Sequence, residues 1–164
     1  MGKQRYIVFI LLAASVLCIG GCQRKSFVVQ SRSMEPTLVP GDVVEVIGRS
    51  DNIERFDLVV FLHRPLNQFY VMRLIALPGE TLELRESGLF VNDVMIESPV
   101  AGVAYRRLES LIYRYANGKK FVVPEDSIFV LGDNFTGTQD SRTFGPVNLA
   151  DVVGVVSKRD AEHR

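Results

Sequence analysis

The sequence predicts a mainly β domain behind a short apolar N-terminal segment. Three observations predict it. Short apolar runs rich in Val, Ile, Leu and Phe recur from Phe27 onward, turn signals built on Gly, Pro and Asn separate them, and no stretch past residue 26 carries helical periodicity. With 164 residues the chain has room for one domain. Its 47% hydrophobic and 23% charged residues suit a globular fold rather than a disordered tail.

The elements follow in order. Val39-Pro40-Gly41-Asp42 is a turn that opens a strand predicted over Val43–Ile47. Strands are predicted over Leu58–Leu62 and Phe69–Ala76, with Pro78-Gly79-Glu80 as the next turn. Thr81–Leu84 and Leu89–Val91 flank Ser87-Gly88, and Asn92-Asp93 turns the chain into Val94–Ile96. Asn117-Gly118 predicts a hairpin between Leu111–Tyr115 and Lys120–Val123. Ile128–Leu131 and Val152–Ser157 complete the set. Strands so spaced predict a closed or sandwich-like all-β architecture.

The N-terminus reads as a targeting or anchoring segment over residues 1–22. Lys3 and Arg5 precede Tyr6–Cys22, a run without charge, and Arg24 and Lys25 follow it. The ending Ile19-Gly20-Gly21-Cys22 resembles a lipobox, where a signal peptide is removed and the new N-terminal Cys22 is lipidated. The competing reading is an uncleaved single-pass anchor, for which the run has the short end of the needed length, about 17 residues. The Gly-Gly-Cys ending favours the lipoprotein. Either way the domain over residues 23–164 is expected on the extracytoplasmic face of a bacterial membrane, close to lipid.

Charge and cysteines exclude other classes. Acidic and basic residues number 19 each, and a chain starting at Cys22 is slightly acidic. That is no footprint for nucleic acid. The two cysteines, Cys18 and Cys22, both end the apolar run, so the domain has neither a disulfide framework nor a Cys-based metal site.

Four segments then carry a resemblance. They are Ser31-Arg-Ser-Met-Glu-Pro-Thr-Leu38, Val39-Pro-Gly-Asp42 through Phe56-Asp-Leu-Val-Val-Phe61, Tyr70-Val-Met-Arg-Leu-Ile-Ala-Leu-Pro-Gly-Glu80, and Gly132-Asp-Asn-Phe-Thr-Gly-Thr-Gln-Asp-Ser-Arg-Thr-Phe-Gly145. In type and order they resemble the motifs of type I signal peptidases, and Gly88–Asn92 and Val123-Pro124 resemble that family's connecting strands. The resemblance implies a signal-peptidase-type β fold whose second, variable subdomain, about 83–125, is reduced to a few strands. It implies no cofactor and no metal.

The same resemblance implies roles. Ser33 takes the position of the nucleophile, and a serine hydroxyl needs a neighbouring base to become one. Ser31 takes the position whose hydroxyl joins the Ser33 backbone N–H in an oxyanion hole. Met34 is expected to contact substrate beside the scissile bond. The family's general base is a buried lysine, and Met72 stands in its place. A thioether fills that slot and takes up no proton at neutral pH, and the guanidinium of adjacent Arg73 stays charged. Relatives outside bacteria pair Ser with a His in the lysine's own position. His63 lies nine residues upstream and is expected as an ordinary exposed histidine, as is His163 in the tail. Asp140 with Arg142, and Asp133 with Arg73, match ion pairs that brace the site. Thr138 matches a hydroxyl that bonds the lysine in the family and needs another partner beside Met72. Arg106-Arg107 and Lys119-Lys120 are expected as solvated basic pairs.

Two functions remain open from sequence. One is a membrane-associated serine endopeptidase of signal peptidase type that processes exported preproteins and lacks its base. The other is a non-catalytic relative that binds signal-peptide-like or pilin-like segments as an assembly or chaperone factor.

Overall fold

The structure, a computed structural model, describes residues 25–48, 53–105, 120–136 and 138–157. The N-terminal segment with Cys22, Arg106-Arg107, Lys119, His163 and most of the hairpin around Asn117-Gly118 lie outside the described residues.

Among the described residues eleven strands form two antiparallel sheets. They are β1 Lys25–Val28, β2 Val43–Gly48, β3 Leu58–His63, β4 Gln68–Ala76, β5 Thr81–Arg85, β6 Gly88–Val91, β7 Val94–Ile96, β8 Phe121–Val122, β9 Ser127–Leu131, β10 Val147–Asn148 and β11 Val152–Val156. The larger sheet has the order β1-β2-β11-β3-β4-β9-β10 and the smaller one β7-β6-β5-β8. The mainly β expectation holds. In place of a closed barrel there are two open sheets, with β1 and β10 as the outer strands of the larger. Strand β1 was not predicted, and two short elements were not legible: β10 has two residues, and the helix α1 (Ser141–Phe144) is a single turn. Neither is long enough to show a period.

Two cores hold the fold. The first is built from Val44, Val46, Val59, Phe61, Leu74 and Val130 of the larger sheet, with Met34 and Leu38 from the loop between β1 and β2. The second joins the sheets: Ile75, Ala76, Phe129 and Leu131 at the far ends of β4 and β9 pack on Leu82, Leu89 and Val91 of the smaller sheet. A register shift in β4 between Leu74 and Ala76 lets one strand serve both cores. Close packing also fixes one glycine. A Cβ on Gly154 of β11 would stand 2.2 Å from the Ile47 carbonyl oxygen of β2, so only glycine admits this strand pair.

Candidate active site

The loop Val29–Asp42 carries Ser31 and Ser33. Its ends are tied by Val29 N–H donating to the Asp42 carbonyl and Gly41 N–H donating to the Val29 carbonyl, both at 2.8 Å. The peptide bond Glu35–Pro36 is cis. Met34 and Leu38 are buried and pin the loop to the first core. This corrects the expectation for Met34. Its side chain has no exposed surface and is not among the residues lining the cleft, so it holds the loop from beneath.

A second loop, Gly132–Asp140, follows β9 and holds the first from the side. The Asn134 N–H donates to the Ser33 carbonyl at 2.9 Å, and its side-chain amide donates to the Arg32 carbonyl at 3.1 Å. The Thr138 hydroxyl donates to the Asn134 carbonyl, the partner it needed beside Met72. A Cβ on Gly132 would stand 2.6 Å from the Ser33 carbonyl oxygen and 2.6 Å from Thr138 Cγ2, so the approach requires glycine.

Two buried ion pairs brace these loops. Arg73 of β4 donates through Nε to Asp133 Oδ1 at 2.7 Å and through Nη2 to Oδ2 at 2.6 Å. Its Nη1 donates to the Phe56 carbonyl at 2.8 Å, and the Thr37 hydroxyl donates to Asp133. The pair thus ties β4, the serine loop and the second loop at one point. Asp140 is fully buried, accepts from Arg142 Nε and Nη2 at 2.8 Å each, and caps α1 through the Arg142 N–H. It also accepts the Gly132 N–H at 3.2 Å. Both pairs are formed, and the side chains of both are buried rather than solvated.

A cleft of about 750 Å³ opens between the serine loop and β4. Ser31, Ser33, Met72 and Thr138 all line it. Ser31 is exposed and Ser33 half-buried, and their hydroxyl oxygens are 2.9 Å apart. A second hydroxyl can donate or accept a hydrogen bond but is no base near neutral pH. Met72 is buried, packed in the first core, and faces the cleft with the rest of its side chain. Among the described residues the lining contains no Lys, His, Asp or Glu, and the one ionic group is Arg32, paired with Glu35 at 2.9 Å.

His63 is not an exposed histidine. Pairing of β3 with β4 sets it opposite Gln68, so its diagonal neighbour is Tyr70. The rings stack at 5.0 Å and 10°, Phe144 packs at 4.9 Å, and Nδ1 is buried without a partner among the described residues. His63 does not line the cleft. Lys120, the described member of the basic pairs, donates to Asp93 at 2.8 Å at the surface. No group of His, Cys, Asp and Glu among the described residues could hold a metal.

Sequence reading missed Asn134, Thr37 and Gly132, although all three lie inside the quoted motifs. A further feature was not legible at all. β4 pairs with β3 along Gln68–Arg73, but its pairing with β9 begins only at Arg73. The other edge of Gln68–Met72 carries no strand among the described residues and borders the cleft.

Paired serines at a peptide-sized cleft, on braced loops of an antiparallel β scaffold, define a serine-protease-type site. Residues 3–159 match the family described as "Signal peptidase, peptidase S26". The chain belongs to the signal peptidase family, whose work is signal-peptide processing. It is 31% identical over 167 residues to signal peptidase IB of Staphylococcus aureus (strain N315), covering 94% of this chain and 87% of that protein. It is 35% identical over 143 residues to signal peptidase I of Bacillus caldolyticus, covering 82% and 78%. The crystal structure of a signal peptidase I from Enterococcus faecalis V583 matches with a TM-score of 0.51 at 35% identity, over 65% of this chain and 98% of that one.

Proposed function

We propose that the chain binds the signal-peptide segment of exported preproteins as an extended strand in this cleft, and that hydrolysis at Ser33 is stalled for want of a base. The observation that carries the reading is the lining of the cleft: a serine pair and a strand edge without a described neighbour, with no side chain among the described residues that accepts a proton at neutral pH. The edge of Gln68–Met72 offers backbone groups to a peptide by strand addition. The Ser33 N–H and the Ser31 hydroxyl supply oxyanion donors. Among the described residues the one side-chain group bonded to the Ser33 hydroxyl is that of Ser31, which is no base near neutral pH. Loss of a general base is worth about 100- to 10,000-fold, and about a millionfold in one protease whose residues act as a unit.

The second reading, a slow but working endopeptidase, is favoured by the Ser31–Ser33 pair, which a pure binder does not need. Lipid contact is supported by Val28, Val43 and Ile47, exposed apolar residues on the strands that follow the N-terminal apolar run. No helix among the described residues is long and apolar enough to cross a membrane. Mass spectrometry of the mature N-terminus decides between lipidated Cys22 and an uncleaved anchor.

The test is the full chain in detergent with a fluorogenic signal-peptide substrate. Saturable binding with negligible turnover, unchanged in Ser33→Ala, is the expected result. Robust turnover that disappears in Ser33→Ala would refute the stalled site.

A further inference from the structure

The rings of Phe27 and Phe69 touch edge to face, with centroids 5.2 Å apart and planes at 60°. Their strands are not neighbours, since β2, β11 and β3 stand between β1 and β4. Adjacent strands lie about 4.8 Å apart, so a flat sheet would hold β1 and β4 about 19 Å apart. The contact exists because the sheet coils until β1 faces the first half of β4. Both rings line the cleft so formed. Phe27 packs partly against the first core, whereas Phe69 is 55% exposed. Such a ring presents apolar surface that another apolar group gains by covering.

Position along the cleft decides which part of a ligand meets the rings. Phe69 precedes Met72 by three residues of extended strand, about 10 Å. A peptide on the β4 edge advances at the same pitch. The residue at the rings is then three removed from the one level with Met72. Direction follows from β1, which begins at Lys25, three residues after Cys22 ends the apolar run. On the reading that residues 1–22 hold the chain at the membrane, the Phe27 end of the cleft is the end nearest it, where the apolar part of a preprotein arrives.

We propose that Phe27 and Phe69 form an aromatic slot that selects a bulky apolar side chain at about the fourth residue before the scissile bond and rejects a charged one there. The inference rests on the peptide lying along the β4 edge, as proposed above. A carboxylate at that point would lose water against ring surface without a partner. The one cation among the described lining residues, Arg32, adjoins Ser33 in sequence and is already paired with Glu35.

Fluorescence anisotropy with the full chain in detergent tests the slot. The probes are labelled peptide amides of alanine and glutamine that end at the residue before the scissile bond. One Phe is moved stepwise from the second to the seventh position from that end. The expected result is a maximum at the third to fifth position, about tenfold tighter than the parent peptide, with Asp there weakening binding. The maximum flattens in Phe69→Ala and in the milder Phe27→Leu. Saturable binding that ignores where Phe stands, or a maximum unchanged in both variants, overturns the slot and leaves the cleft reading intact. No saturable binding by any peptide overturns both.

Discussion

Asn134 holds Ser33 by the backbone, its N–H donating to the Ser33 carbonyl at 2.9 Å while its side-chain amide holds the Arg32 carbonyl at 3.1 Å. The serine is thereby positioned from a loop about a hundred residues further along the chain. Gly132 completes the hold by leaving no room beneath the same carbonyl.

Gly132→Ala is therefore expected to displace the Ser33 loop and to destabilise the fold by about 1–3 kcal/mol, the usual cost of overpacking. Asn134→Ala is expected to cost less stability, about 1 kcal/mol, but to weaken peptide binding by loosening the loop. Urea denaturation and peptide anisotropy on the two variants check the pair. A Gly132→Ala protein of wild-type stability and affinity would contradict the packing.

Arg73 and Asp133 form a buried pair joined by two hydrogen bonds and held by two more, from Arg73 to the Phe56 carbonyl and from the Thr37 hydroxyl to Asp133. Removing one charge strands the other, so Arg73→Ala is expected to cost about 3–5 kcal/mol. Arg73→Lys is expected to recover only part of that, because an ammonium cannot reproduce the bidentate fork or reach the Phe56 carbonyl at the same time. Chemical denaturation of both variants measures the difference.

Tyr105 supplies a pH dependence. Burial pushes its phenol up from 10.0 to about 12, with Arg73 opposing and Asp133 adding to the shift. Between those values the unfolded chain has lost a proton that the folded chain keeps. Below about pH 10 this group leaves stability unchanged. From about pH 10 to 12 stability falls as pH rises, by about 2 kcal/mol in all. Tyr105→Phe is expected to remove that share of the alkaline slope. Phenolate absorbance and denaturation between pH 9 and 12 check it.

The strands were legible because alternation and turn residues are local. Pro78-Gly79 turns the chain with Gly79 at φ 75°, and Asn92-Asp93 does so with both residues at positive φ. The ion pairs were legible only through motifs. Arg73 and Asp133 are 60 residues apart, and nothing in composition joins them. Asn134 stayed without a role because its partner Arg32 is 102 residues away. Met34 was misplaced because an apolar residue beside a serine reads equally as a substrate contact or as a core anchor. His63 was misplaced because Arg64-Pro65 beside it signals a solvated strand end. The cross-strand stack on Tyr70, which sequence does not register, leaves it half-buried instead.

The central claim is that a missing proton acceptor, and nothing else in the cleft, stalls the site. Met72→Lys tests it most directly. Met72 is buried against Val59, Leu74 and their neighbours in the first core. A lysine introduced there is desolvated and its pKa depressed, as a general base requires. Steady-state cleavage of a fluorogenic signal peptide by wild type, Met72→Lys and Met72→Lys/Ser33→Ala is the measurement. The expected result is negligible wild-type turnover, a gain of at least about 100-fold in Met72→Lys that rises with pH through the lysine titration, and loss of that gain in the double variant. Wild-type turnover equal to that of Met72→Lys, abolished by Ser33→Ala alone, would contradict it.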